Sequence, residues 1–291
     1  MTNPPLPPQP QQPSQQPPTP PAPPSSSAHE PRALSLTAKL LLFVALPLLL
    51  IIVIVVALII VFGSFRGASI SENADVVAGT SVSVDVPNAT VTFTPSSDNQ
   101  VHVSMTGTYS GSKPTLTATT SGRETQITGG CPNGWFFSRC DVTLAIAIPA
   151  ALDLDFEGTN GRITATGLTG ELDLSTTNGS IQTTGTRGDL SLHTSNGGIR
   201  AGDIGSADVE ATTTNGAVEL EFTRPPADVE ARTTNGAVTV RVPVDGVTYA
   251  IDAATVNGNV NTDTVPSDTA SRRTITLETT NGAVTVEPAK R

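Results

Sequence analysis

The residues able to do chemistry are few, and their spacing decides what they could do. The three histidines, His29, His102 and His193, are scattered, so no His/Cys cluster has the spacing of a zinc site. No nucleophile elbow or phosphate loop occurs. Cys131 and Cys140 are the only two cysteines, and they suit a disulfide in an oxidising compartment. Their loop holds Trp135, Phe136 and Phe137, which could mark a partner patch; the favoured reading is a plug over one end of the fold. Carboxylates recur with a period near 20: Asp155, Asp173, Glu210, Glu230 and Asp252 in one series, Asp153, Glu171, Asp189, Asp208 and Asp228 in a second. Stacked in columns, they would repel, and a divalent cation such as calcium would relieve that. A solvated, aggregation-resistant face is the preferred reading. Paired acids could also serve a sugar hydrolase, but evenly exposed carboxylates lack the contrasting environments that separate an acid from a base. The expectation is a protein that is not an enzyme and needs no cofactor.

The elements that carry these columns are set by Asn-Gly pairs at Asn160, Asn178, Asn196, Asn215, Asn235, Asn257 and Asn281, spaced 18, 18, 19, 20, 22 and 24 residues apart. Such a period marks a repeat architecture. Before each Asn, apolar residues or Thr stand at −6, −4 and −2 (Leu172, Leu174 and Thr176, for example), the alternation of a strand with one buried face. After each Gly the parity flips, with apolar residues at +3 and +5, so Asn-Gly is a corner. The Gly or the Asn is expected there in the left-handed conformation. Like residues recur on like arms, which favours parallel stacking over an antiparallel meander of hairpins. The fold class predicted is all-β, a right-handed parallel β-helix with coils of ~18–24 residues. The seven asparagines are expected to fall inward as a structural ladder, with the Thr residues at −2 as a second one. Val82, Val84, Val86, Asn88, Val91 and Phe93 fit the same register as a divergent first coil, although Ala89 replaces the Gly. Strand-like runs between Phe93 and Pro149 are expected to cover the open end, and Pro288, Lys290 and Arg291 to blunt the other.

Composition divides the rest of the chain. Residues 1–33 hold 13 of the 24 prolines and little to bury, a disordered tail read as a solvated spacer, with Pro4-Pro5-Leu6-Pro7 as an alternative ligand for a Pro-binding module. Leu40 to Gly63 is a run of 24 residues without a charge, long enough at ~1.5 Å per residue to span a ~30 Å hydrocarbon core. It reads as an uncleaved signal-anchor. Arg32 and Lys39 before it against Arg66 after it place the N-terminus in the cytoplasm and the remainder outside, at a single-pass cell membrane. The predicted organisation is a tail at 1–38, a transmembrane helix at 39–64, a linker at 65–78 and a solenoid at 79–291, capped over 79–150 and regular over 151–291. From residue 67 onward, 13 Lys and Arg stand against 25 Asp and Glu, a net charge of −12. A domain so acidic will not seek nucleic acid; cations, basic proteins or amine-bearing wall material fit it better.

The run Leu144-Ala-Ile-Ala-Ile-Pro149, followed by Thr-Asn-Gly coils, resembles the bacterial membrane-anchored "putative adhesin" domain, a β-solenoid family of unknown function, and is similar to autotransporter-like adhesin heads. The resemblance covers about residues 75–291 and brings no catalytic residues. It implies surface display or adhesion toward a protein or cell-wall partner. An accessory or sensor role in an envelope-stress response is the alternative it also implies.

Overall fold

The computed structural model describes residues 35–63, 67–132 and 139–290. Two units separate, at Met1–Leu58 and Ile59–Arg291. In the first lies a helical stretch that begins at Leu36, three residues before the predicted start. An α-helical segment of 5 residues, Leu36–Leu40, is followed by a π-helical one of 5, Leu41–Ala45, and an α-helical one of 18, Leu46–Gly63. Among the described residues no helix is long and apolar enough to cross a membrane.

From Ala68 onward the second unit is all β. The stack begins with β1 (Ala68–Val77), β2 (Ser81–Asp85), β3 (Thr90–Pro95), β4 (Gln100–Ser110), β5 (Thr115–Ser121), β6 (Glu124–Gly130) and β7 (Arg139–Ile148). The regular coils follow as strand pairs: β8 (Asp153–Asn160) with β9 (Ile163–Thr166), β10 (Leu172–Asn178) with β11 (Ile181–Thr184), and β12 (Leu190–Asn196) with β13 (Ile199–Ile204). Next come β14 (Asp208–Asn215) with β15 (Val218–Phe222), and β16 (Asp228–Asn235) with β17 (Val238–Val242). The last are β18 (Ala250–Asn257) with β19 (Val260–Asn261), and β20 (Thr274–Asn281) with β21 (Val284–Pro288). Each Asn-Gly pair joins the two strands of one rung. The arms before the corners form a 10-stranded sheet and the arms after them an 11-stranded sheet. Neighbouring rungs are parallel and in register, Leu172 beside Leu154 and Leu190, Ile181 beside Ile163 and Ile199, which removes the meander.

The core lies between the two sheets. The −6 and −4 side chains (Leu172, Leu174, Val229, Ala231) meet the +3 and +5 side chains (Ile181, Val218, Leu220, Val240), all buried. Phe93 and Phe156 cross it edge to face with centroids 5.7 Å apart. Apolar area removed from water at both faces of every rung is the main source of stability in such a stack.

Rung order departs from chain order at both ends. The pair β20–β21 sits between β16–β17 and β18–β19, so the seventh Asn-Gly rung fills a slot inside the sixth. The predicted blunting of the far edge by Pro288 is therefore wrong: Pro288 pairs with Val242 inside a sheet, and β18 and β19 form the edge. At the other end β6–β7 is itself a parallel rung, outside β2–β3, so the Asn88 coil is the second rung rather than the first. The cover over that end is made by β1, β4 and β5, all antiparallel to their neighbours. The predicted linker at 65–78 therefore contains a paired strand. Ala68–Val77 is strand β1, because Ile70, Glu72, Ala74 and Val76 alternate onto the protected side while its backbone pairs with β4.

Candidate functional site

The corners carry the most regular polar array in the protein. Asn178 Nδ2 donates to Asn160 Oδ1 at 3.0 Å, Asn196 to Asn178, Asn215 to Asn196 and Asn235 to Asn215 at 2.9 Å each, then Asn281 to Asn235 and Asn257 to Asn281 at 2.9 Å. At the near end Asn160 donates to Asn88 at 2.6 Å, and Asn88 Nδ2 reaches the Cys131 carbonyl at 3.5 Å. All the amides point the same way along the stack. They do not fall inward: Asn160, Asn178, Asn196, Asn215, Asn235, Asn257 and Asn281 are all exposed. The inward place is taken by the Thr two residues earlier, and Thr176, Thr194, Thr213, Thr233 and Thr279 are buried. Nor do these hydroxyls ladder with one another. Thr194, Thr213, Thr233, Thr279 and Thr255 each donate to a corner Gly carbonyl on the neighbouring rung at 2.9 Å.

That carbonyl explains the Gly. A Cβ on Gly197 would lie 1.9 Å from Gly179 O, one on Gly216 2.0 Å from Gly197 O, and one on Gly236 1.9 Å from Gly216 O. Close approach, not left-handed backbone, is the requirement. Of the seven corner glycines only Gly161 has a positive φ, at 127°.

The disulfide joins Cys131 to Cys140 with Cα atoms 5.8 Å apart, and Cys131 occupies the corner of the β6–β7 rung where the other rungs carry Asn. Trp135, Phe136 and Phe137 lie outside the described residues, as does His29.

On the outer face of the 10-stranded sheet the carboxylates line up less evenly than the sequence suggests. The column reads Asp155, Asp173, Ser191, Glu210, Glu230, Thr276, Asp252, because the inserted β20 separates Glu230 from Asp252. Ser191 Oγ donates to Asp173 at 3.3 Å, Arg232 pairs with Glu230, and the Glu171 amide donates to Asp153 at 3.0 Å. Glu124, Asp153, Asp155, Glu171 and Asp173 line one shallow groove of about 350 Å³, and Glu171, Asp189, Asp208, Glu210, Asp228 and Glu230 another of about 250 Å³. Among the described residues no group of three or more His, Cys, Asp or Glu is placed to hold a metal ion.

One constellation escaped the sequence reading. His102 on β4 lies between two carboxylates, Nδ1 at 2.7 Å from Asp75 on β1 and Nε2 at 3.0 Å from Asp98. The Asp75 hydrogen bond first, then the Asp98 one, raises the His102 pKa, while the hydrogen bond to His102 lowers that of Asp98. With Lys113 against Glu72 at 2.6 Å, this clamps β1 to the stack. Asp98, four residues before His102 in a turn, was the only local signal, and pairing with Asp75 depends on β1 being a strand. His193 is exposed on β12.

The fold and its corner chemistry define a class, the parallel β-solenoid with Asn-Gly corners. Residues 150–287 match the model of the Toastrack DUF4097 family. No curated protein matches the chain. Among solved structures, a putative adhesin from Parabacteroides merdae is 12% identical, covering 76% of this chain and 97% of its own, with a TM-score of 0.40. A putative cell adhesion protein from Clostridium sporogenes is 12% identical over 77% of this chain and 100% of its own, with a TM-score of 0.32. A putative lipid binding protein from Parabacteroides distasonis is 12% identical over 74% and 96%, with a TM-score of 0.29.

Proposed function

We propose that this is a membrane-anchored, non-enzymatic surface protein whose solenoid, a right-handed coil, engages a partner outside the cell. The observation that carries the reading is the locked register. An amide ladder on the corners and Thr-to-Gly bonds beneath it hold every rung from Asn88 to Asn257 at one spacing, so the outward side chains of both sheets form fixed, solvent-facing rows. Fixed rows of carboxylates meet a repetitive cationic or amine-bearing partner without the entropy of ordering loops. The helical segments from Leu36 to Gly63 follow one another without a gap, and large apolar side chains from Leu40 to Leu58 are exposed all round. A helix apolar on every side is at home in a bilayer.

Two experiments test this. A membrane-impermeant thiol reagent should label a Thr177→Cys chain in intact cells and a Ser25→Cys chain only after lysis; the reverse pattern refutes the proposed orientation. Cells displaying the full chain should be retained on surfaces coated with cells or cell-wall material more than cells lacking it, and equal retention would sink the adhesive role.

A further inference from the structure

The two ends of the stack are finished differently, and the difference points to a partner. At one end the antiparallel strands β1, β4 and β5 cover the last parallel rung, and β1 carries Glu72 and Asp75 along its length. Charge on an edge strand discourages further pairing. At the other end the stack stops at β18 and β19, the last strands of their sheets. The inward positions of β18 are Ile251, Ala253 and Thr255. They are only half-buried, whereas their counterparts on the next rung in, Ile275, Leu277 and Thr279, are 0–1% exposed. Val256 and Val260 are 76% and 47% exposed. Val265 and Ser267 close the third side of this rung against Tyr249, and that cover ends where β18 begins.

The backbone at this edge is aimed outward in a known sense. On inner rungs the −6 amide donates to the rung beyond, as Leu154 N to Glu171 O and Leu172 N to Asp189 O at 2.9 Å, whereas the −7 position of the last rung, Ala250 N, donates back to Arg273 O at 2.8 Å. By that alternation Ile251, Ala253 and Thr255 turn their N–H and C=O groups past the end of the sheet.

We infer that this edge pairs with the same edge of a second copy, β18 against β18 in antiparallel fashion about a two-fold axis through Ala253. The inference rests on the surface-interaction reading and names its partner. An axis through a residue position sets outward residues opposite outward residues; one on Asp252 would bring two carboxylates face to face, and Ala253 is the middle of the outward set. Centred on Ala253, it sets Ala253 opposite its mate and Ile251 opposite Thr255, and each such pair exchanges both backbone bonds. The side chains fit the same register. Ile251, Ala253 and Thr255 of both copies close over one joined core. On the outer face Asp252 meets Ala254 and Ala250 meets Val256, so no carboxylate faces another. The contact is self-complementary and closed, a dimer rather than a fibre.

Full-length protein in detergent micelles tests this. Opposed residues of a narrow antiparallel pair have Cα atoms about 5.5 Å apart, within reach of a disulfide. An Ala253→Cys chain should form a covalent dimer on mild oxidation, at least tenfold more than an Ala254→Cys chain. Adding Thr255→Pro should abolish it, since that N–H faces away from β20, whereas adding Thr255→Val, which loses the same Oγ1 bond to Gly282 O but keeps the N–H, should leave the cross-link in place. Oxidised Ala253→Cys chains that stay monomeric at micromolar concentration overturn the proposal. So do equal yields from the two cysteine variants, or open-ended assemblies. Cross-linked chains that retain no cells would sink the adhesive role alone, and cells retained equally by Thr255→Pro chains would sink this interface alone.

Discussion

Replacing Gly197 by Ala tests why the corners carry Gly. A Cβ at this position would stand 1.9 Å from Gly179 O and 2.5 Å from its carbonyl carbon, where ordinary contact begins near 3.4 Å. One rung must therefore move by about 1.5 Å, and in a stack at ~4.8 Å spacing there is no free space to move into. The displaced carbonyl is the acceptor of Thr194 Oγ1 at 2.9 Å, and the same shift pulls on Asn196 Nδ2 to Asn178 Oδ1 at 2.9 Å. Overpacking costs about 1–3 kcal/mol and two hydrogen bonds roughly 1 kcal/mol each, so the variant should lose about 3–5 kcal/mol. For a domain of this size that lowers the thermal midpoint by roughly 10 °C. Gly202→Ala is the control, since a Cβ there meets nothing within 4 Å; it should stay within about 0.5 kcal/mol of the parent. Guanidinium unfolding of the full chain in detergent, followed by far-UV circular dichroism, compares the two. Equal midpoints would refute the close-approach argument and return the corners to a demand on backbone conformation.

Other expected outcomes can be checked the same way. Asn178→Ala removes the donor to Asn160 and the acceptor for Asn196, and should destabilise by about 1–2 kcal/mol in denaturant titration. Opening the Cys131–Cys140 bridge, by Cys131→Ser or a reductant, should cost about 2–3 kcal/mol in a thermal melt, the loop spanning a separation of 9 residues. The His102 clamp should depend on pH in a set direction. With the His102 pKa raised, its contribution is full below the ordinary imidazole value of 6.5 and is lost as pH rises through the raised one. With the Asp98 pKa lowered, that contribution is full above the ordinary 3.8 and is lost as pH falls through the lowered one. Melts of the parent and of His102→Gln should therefore differ most between those limits and converge toward high pH. Millimolar calcium should leave the thermal midpoint unmoved, because Ser191 and Thr276 interrupt one carboxylate column and, among the described residues, no three acidic groups are placed to hold a metal ion together.

The rungs themselves were legible. Period-2 burial on each arm and a parity flip at Asn-Gly define strand, corner and strand, and one residue of slippage would turn Leu172 and Leu174 to water. What the repeat hides is order. Thr274 pairs with Asp228 on one side and Ala250 on the other in the same frame, so any rung fits any slot by residue type. The only trace is the lengthening of the last two spacings to 22 and 24, the extra chain needed to pass a slot and return. The β6–β7 rung went unseen because Cys131 holds its corner in place of Asn, and β1 because Glu72 and Asp75 on its edge look like solvent residues. The sequence reading places the amides inside, where a ladder would satisfy them; the same ladder forms equally well on the surface, and Thr at −2 already fills the interior. The His102 site joins strands that are neighbours only once that end is folded, so no spacing in the chain announces it.

Nesting β20–β21 within β18–β19 bears on how the molecule assembles. Growth from the β8 side, one layer at a time, reaches β16–β17 and then meets residues 250–261, which belong one layer further out. Either those residues dock early in the vacant layer and must be displaced, or they wait until 274–288 arrive. Both routes make the final stage of assembly a concerted event involving some forty residues, unlike the independent layers of a simple array, and a chain cut after residue 261 would settle with its outermost layer one place too deep.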